Sequence, residues 1–145
     1  MSFSILDEHD VIGWDFDGTL IEHRKARKMH DYILDHPEKT HIIVTFRSHG
    51  MEDRIWRDLW RENARAPGMT AFKDVINMPD KLYENGYIAQ KAVASKIVIP
   101  TSEYLEWKGK ICHQRGITVL VDDMPSMVIP GCDRYGVLHI HPDHL

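Results

Sequence analysis

At 145 residues the chain is long enough for one domain with a real core and too short for two full ones. Eighteen Lys and Arg against 22 Asp and Glu give a formal net charge of -4 at pH 7, and no basic run interleaves with aromatics, which argues against a long nucleic acid as partner. No stretch approaches the roughly 18 apolar residues of a membrane span, and Met1 to Glu8 lacks a basic segment followed by a long apolar one, so the expectation is a soluble, cytoplasmic protein with no membrane contact.

The first element in chain order is the apolar run Val11-Ile12-Gly13-Trp14, a buried strand that runs straight into Asp15-Phe16-Asp17-Gly18-Thr19-Leu20. Two carboxylates, a glycine and a threonine at a strand end deliver charge and a tight turn to the sheet edge where α/β proteins bind ligands. From His23 to Asp35, Ala26, Met29, Ile33 and Leu34 recur at helical spacing, and Pro37 closes the segment. His41-Ile42-Ile43-Val44-Thr45 is a second β-branched run ending in a hydroxyl, followed by Phe46, Arg47, Ser48 and His49. Met51 to Ala64 sets Ile55, Leu59, Trp56 and Trp60 against arginines in an amphipathic helix, its tryptophans read as core or interface, before Pro67-Gly68.

Asp74-Val75-Ile76-Asn77-Met78 predicts a third strand, ended by Pro79. Residues 80–100 read as a short insertion, with a turn signal at Asn85-Gly86 and a segment from Val93 to Ile99 compatible with strand or helix. Thr101 or Ser102 can cap a helix running to Arg115, with Glu103 in its first turn and Gly116 just past its end. Ile117 to Val121 is a fourth buried strand that ends in Asp122-Asp123, and Gly136 to Ile140 a fifth. Cys112 and Cys132 form no close pair and are read as reduced and structural. Strands alternating with helices predict an α/β domain: a parallel five-stranded sheet with helices on both faces.

In a parallel sheet the ends of these strands gather at one edge, bringing together Asp15, Asp17, Thr45, Asp122 and Asp123, with Lys108 on the helix that enters the fourth strand. Grouped carboxylates without a histidine and cysteine framework suit a hard cation with oxygen ligands, Mg²⁺ above all. A cation, an ammonium, a hydroxyl and backbone N–H groups are also the equipment of phosphoryl transfer, where catalysis is largely positioning and charge neutralisation.

The order of these residues resembles the haloacid dehalogenase-like (HAD) phosphohydrolases. Asp15-Phe16-Asp17-Gly18-Thr19-Leu20 is similar to the first motif of that family, Thr45 to the second, Lys108 to the third and Val119-Leu120-Val121-Asp122-Asp123 to the fourth in its adjacent-aspartate form. Lys110, Lys91 and Lys96 compete with Lys108 for the third. The resemblance runs from Val11 to about Pro125 and implies a Rossmann-like HAD fold and Mg²⁺-dependent hydrolysis of a phosphate monoester, nucleotidase-like in its closest pattern. It implies that Asp15 attacks phosphorus and forms an aspartyl phosphate, and that Asp17 protonates the leaving oxygen and then activates water. That second role asks for a carboxyl that carries a proton part of the time near neutral pH, which desolvation or a neighbouring carboxylate can provide. Gly18, Thr45 and Lys108 would hold the phosphate, and Asp15, the Asp17 backbone carbonyl, Asp122 and Asp123 the metal. The segment left over for a cap, Lys81 to Pro100, is too short for a separate domain, so the resemblance implies an open site covered by a bulky substrate or a neighbouring subunit of a homo-oligomer.

Plainer readings stand beside these. Thr45 alone is an ordinary strand residue and Lys108 alone an ordinary helix lysine. Arg47 and His49 are loop residues that either meet the leaving group or do nothing, and the guanidinium fork of Arg47 suits a phosphate. His139 and His141 share a strand face and invite a metal reading, but terminal histidines are commonly solvated. The rivals from other classes are a receiver-like signalling module, which places its acidic pair first and lacks D-x-D-G-T, and a non-catalytic phosphate- or partner-binding protein with the Trp56 and Trp60 helix as contact surface.

Overall fold

The computed structural model describes residues 2–48, 50, 52–85, 87–92 and 95–145, and among these the side chains other than those of 2, 52, 53, 83–85, 87–92 and 95–99. Its centre is a five-stranded, all-parallel sheet in the order β3-β2-β1-β6-β7, formed by Val11–Trp14 (β1), Thr40–Ser48 (β2), Asp74–Met78 (β3), Val119–Val121 (β6) and Leu138–Ile140 (β7). This is the α/β, Rossmann-like arrangement the alternating elements predict.

Strand periodicity divides the core between the two faces of the sheet. Ile12, Trp14, Ile43, Val119 and Val121 face one way and pack with Met29 and Ile33 of helix Ala26–Asp35 (α1) and Ile55 and Leu59 of helix Glu52–Glu62 (α2). Ile42, Val44, Ile76 and Leu120 face the other way and meet Tyr104, Trp107 and Cys112 of helix Ser102–Gln114 (α4) and Val128 and Cys132 of helix Pro125–Tyr135 (α5). Both thiols are free and buried, and burial raises both, that of Cys132 to about 12, as suits inert core groups.

The termini of α4 follow the sequence. Thr101 Oγ1 accepts from Tyr104 N at 3.3 Å, and at the other end Gly116 N bonds His113 O and Ile117 N bonds Cys112 O, the paired closure that turns the chain into β6.

Several expectations are corrected. In α1 the buried set is Ala26, Met29, His30, Tyr32 and Ile33, whereas Leu34 is exposed: the stripe includes two aromatic side chains whose polar atoms find partners, and the apolar count alone passed them over. Trp60 is 64% exposed and therefore not a core residue, while Trp56 packs on Phe72. β2 runs three residues beyond Thr45, carrying Phe46 and Arg47 on the strand. No element is predicted between Asp123 and Gly136, where the structure has α5: Pro130 and Gly131 inside it lower its local helix propensity, while Pro125 at its first turn and Gly136 past its end are conventional boundaries.

The insertion comprises helix Asp80–Asn85 (α3) and an antiparallel hairpin of Tyr87–Ala92 (β4) and Ser95–Pro100 (β5). The expected turn residue Gly86, the start of the Val93 segment and His49 lie outside the described residues. No described helix is long and apolar enough to cross a membrane.

Two buried histidines pin the layers. His41 accepts from Trp14 Nε1 at 3.0 Å through Nδ1 and donates from Nε2 to the His36 carbonyl at 2.9 Å. His30 donates from Nε2 to the Leu20 carbonyl at 2.7 Å and accepts from Asn63 Nδ2 at 3.1 Å. A carbonyl can only accept, which fixes the tautomer of each ring and leaves Nδ1 as the acceptor. Burial lowers both from the ordinary histidine value.

Candidate active site

β1 and β6 end level with each other, Trp14 opposite Val121, so Asp15 and Asp122 leave adjacent strands at the same height. Asp15 N bonds the Val121 carbonyl at 2.9 Å and Asp122 N the Ile140 carbonyl at 3.1 Å. Both carboxylates are buried, at 5% and 0% exposure. Charges so placed need a counter-charge. Lys108, fully buried on α4, supplies it: Nζ donates to Asp15 Oδ1 and to Asp122 Oδ2, each at 2.7 Å, and lies 4.3 Å from the centroid of the Phe46 ring.

The contact distinguishes Lys108 from its competitors. Lys110 is exposed on the same helix, and Lys91 and Lys96 are backbone register partners in the hairpin.

The remaining oxygens of the cluster are organised locally. Thr19 Oγ1 donates to Asp15 Oδ2 at 3.1 Å and stands 3.5 Å from Asp123 Oδ1. Asp122 Oδ1 accepts from Met124 N at 2.8 Å, and the Asp122 carbonyl accepts from His139 Nε2 at 2.8 Å. Gly18 has φ +77°, the left-handed region that favours glycine, and a Cβ there would sit 2.3 Å from Asp123 Oδ2 and displace that carboxylate from the acidic pair.

Asp15, Asp122 and Asp123 offer oxygens that all lie within 4.8 Å of one another, the only such group of three among the described residues. An all-carboxylate set fits a hard divalent cation rather than a soft one. His139 bonds the Asp122 carbonyl through Nε2, and His141 accepts from Asp143 N at 3.0 Å through Nδ1. Burial, opposed by Lys108 and reinforced by Asp122 and Asp123, pushes the Asp15 carboxyl well above the usual carboxylate range. Burial pulls Lys108 down, but Asp15 and Asp122 together more than offset it and hold the ammonium above its ordinary value.

Asp17 lies apart from this cluster. Its carboxylate is half exposed and is gripped by Arg47, Nε to Oδ2 at 2.9 Å and one terminal nitrogen to Oδ1 at 2.7 Å. The other terminal nitrogen of Arg47 donates to Asp58 Oδ2 at 3.0 Å, and the guanidinium lies 4.7 Å from the Phe16 ring centroid. The Asp17 side chain therefore has a cation beside it rather than the carboxylate or the apolar enclosure that the sequence reading names. Thr45 is buried and its Oγ1 accepts from Arg47 N at 3.0 Å, which anchors the turn of the chain into the Arg47 position.

The structure thus brings Asp15, Lys108, Asp122, Asp123 and Gly18 into one cluster, and sets Thr45, Arg47 and Asp17 beside it. Sequence alone does not point to the bond from Thr19 to Asp15, to Asp58 as a partner of Arg47, to the contact of His139 with the Asp122 carbonyl, or to Asn77. Asn77 was legible in principle, being the polar residue at the end of β3 as Thr45 is on β2. Asp58 sits mid-helix among charged residues, and nothing local marks it. Compared with models of protein families, with curated proteins and with solved structures, the chain has no significant match in any of the three.

Proposed function

We propose that this chain is a HAD-like phosphohydrolase that hydrolyses a phosphate monoester with Mg²⁺ through an aspartyl phosphate on Asp15. The observation that carries the reading is Lys108 Nζ at 2.7 Å from both Asp15 and Asp122, which ties the first aspartate of D-x-D-G-T to the acidic pair that ends β6. Two carboxylates share Lys108, and a third, Asp123, offers an oxygen within 4.8 Å of theirs; one lysine does not balance three such groups, whereas a site that binds a cation and a phosphoryl group accounts for them.

The metal would be held by Asp15, Asp122 and Asp123. Bound there, a divalent cation supplies charge that neutralises phosphate oxygens. The chain's own residues do the rest. Asp15 presents one oxygen to Lys108 and the other to Thr19, which fixes its carboxylate plane for attack on phosphorus. Lys108 stays charged and balances the incoming phosphate, whose oxygens the Thr45 hydroxyl and the backbone N–H groups of the turn at Gly18 would hold. The phosphoryl group moves from the substrate oxygen to Asp15; Asp17, which must release the Arg47 fork to carry a proton, gives that proton to the leaving oxygen and then takes one from the water that cleaves the aspartyl phosphate.

The test is a panel of alkyl, aryl and nucleoside phosphates assayed with Mg²⁺ and with EDTA. Metal-dependent release of phosphate is the expected result, and inertness across the panel would overturn the reading.

A further inference from the structure

Asp123 contributes an oxygen to the carboxylate cluster, yet little holds its side chain there. The one N–H or hydroxyl donor within hydrogen-bond range of its carboxylate among the described residues is Thr19 Oγ1, 3.5 Å away, and that hydroxyl has a single hydrogen, which goes to Asp15 Oδ2 at 3.1 Å. Lys108 Nζ donates to Asp15 and Asp122 instead. The place of the Asp123 carboxylate is therefore set by its backbone.

That backbone is pinned on both sides of the residue. The peptide plane after Asp123 is held by Met124 N, which donates to Asp122 Oδ1 at 2.8 Å, and the plane before it by the Asp122 carbonyl, which accepts from His139 Nε2 at 2.8 Å. The first pin is internal to the turn. The second comes from β7, where His139 is the register partner of Leu120, so it ties the turn to the sheet. A carbonyl can only accept, which places the ring proton of His139 on Nε2. The ring belongs to neither apolar cluster and borders an open cleft with Pro125, Ile129 and His141, so core packing does not account for it.

We propose that His139 is a positioning residue for the metal site: by fixing the peptide plane between Asp122 and Asp123 it aims the Asp123 carboxylate at a cation shared with Asp15 and Asp122. The inference rests on the Mg²⁺ reading of that cluster. Gly18 leaves open the space into which the carboxylate is aimed, since a Cβ there would fall on it. Partners that orient a metal ligand change metal affinity when they are removed, by about 10–100-fold. His139 touches neither phosphate nor leaving group in this role, so its effect belongs to Mg²⁺ binding rather than to the chemical step.

His139→Leu removes the donor at similar size, and His139→Gln keeps an N–H at much the same reach as Nε2. With a phosphate ester and the full chain, His139→Leu should raise the Mg²⁺ concentration at half-maximal rate by about tenfold or more, while kcat at saturating Mg²⁺ stays within about threefold of wild type. His139→Gln should recover most of the metal affinity. A loss confined to kcat, an unchanged Mg²⁺ dependence, or no recovery in His139→Gln overturns the proposal. In an Asp123→Asn background His139→Leu should cost less than about threefold, because the group it aims is already altered; the same cost in both backgrounds overturns action through Asp123. If His139→Leu fails to fold, His139→Asn, whose amide is too short to meet the carbonyl, takes its place. Thermal melts in increasing Mg²⁺ are independent of turnover: the rise in Tm should need about tenfold more Mg²⁺ in His139→Leu than in wild type. If no ester is hydrolysed but this displacement is seen, the phosphohydrolase reading fails and the positioning role stands; if Mg²⁺ raises the Tm of both proteins alike, or of neither, the positioning role fails.

Discussion

Gly109 of α4 lies so close to Gly131 of α5 that a Cβ on Gly109 would sit 2.0 Å from the Gly131 carbonyl carbon. The two helices therefore meet backbone to backbone one residue from Lys108, and this contact seats the lysine under the ends of β1 and β6. Neither neighbour is the end of a flexible side chain, so an added methyl can be accommodated only by moving a helix. Gly109→Ala should lower stability by about 1–3 kcal/mol despite its better helix propensity, read as a lower denaturant midpoint, and should reduce phosphate-ester turnover because Lys108 moves with α4. A Gly109→Ala protein as stable as wild type would contradict the packing described.

Lys108 and Lys110 differ by two positions and by environment. Removing the ammonium in Lys108→Met leaves Asp15 and Asp122 buried without a counter-charge, a loss of about 3–5 kcal/mol, whereas Lys110→Met on the exposed face should stay within about 0.5 kcal/mol. Thermal melts of both variants with and without Mg²⁺ check this, with Mg²⁺ expected to raise the melting temperature more in Lys108→Met than in Lys110→Met, since a cation at the carboxylates supplies some of the missing charge.

Asp17 stands on Arg47 outside the buried cluster, a position from which it can serve the leaving oxygen without ligating through its carboxylate. Asp17→Asn should therefore depress hydrolysis of alkyl phosphates by one or more orders of magnitude beyond its effect on aryl phosphates, whose leaving groups need little proton donation. Equal losses for both classes would assign Asp17 a structural role.

Much of this was legible in the chain itself, for physical reasons that differ by element. β1, β2 and β6 declare themselves because strands buried on both faces must be continuous apolar runs, and their polar ends, Asp15, Thr45 and Asp122, follow from the sheet having one ligand-binding edge. Lys108 is chosen in sequence by its order among the motifs, with Lys110, Lys91 and Lys96 as competitors; what turns it inward is tertiary packing through Gly109, which no local pattern contains. α5 was hidden by Pro130 and Gly131, whose local cost is offset by a close helix contact that no window of sequence contains. Arg47 invited a phosphate; its partners Asp17 and Asp58, 30 and 11 residues away, come from other elements and convert it from a receptor into a clamp.

His30 and His41 predict a pH dependence of stability. Each uses Nδ1 as an acceptor, from Asn63 and from Trp14, so protonation in the folded state breaks a buried bond, and burial holds both below the ordinary value of 6.5. The unfolded chain then takes up protons first as pH falls, so stability contributed by these rings is intact above about pH 7 and is lost as pH drops below 6.5. Asp15, whose folded carboxyl holds its proton more tightly than an unfolded one, acts in the opposite direction. Comparison with a variant separates the two: between pH 7 and pH 5 the fall in unfolding free energy should be smaller in His41→Gln than in wild type, and identical slopes would contradict the assignment.

The central claim is that Asp15 becomes phosphorylated during turnover, and the most direct measurement is acid quenching of the protein mixed with Mg²⁺ and a phosphate ester radiolabelled in its phosphoryl group, followed by mapping of the labelled peptide. The label is expected on the peptide that contains Asp15, in wild type and not in Asp15→Asn, with turnover of that variant reduced by at least about a thousandfold. Label on another peptide, or an Asp15→Asn protein that turns over at the wild-type rate, would contradict the account.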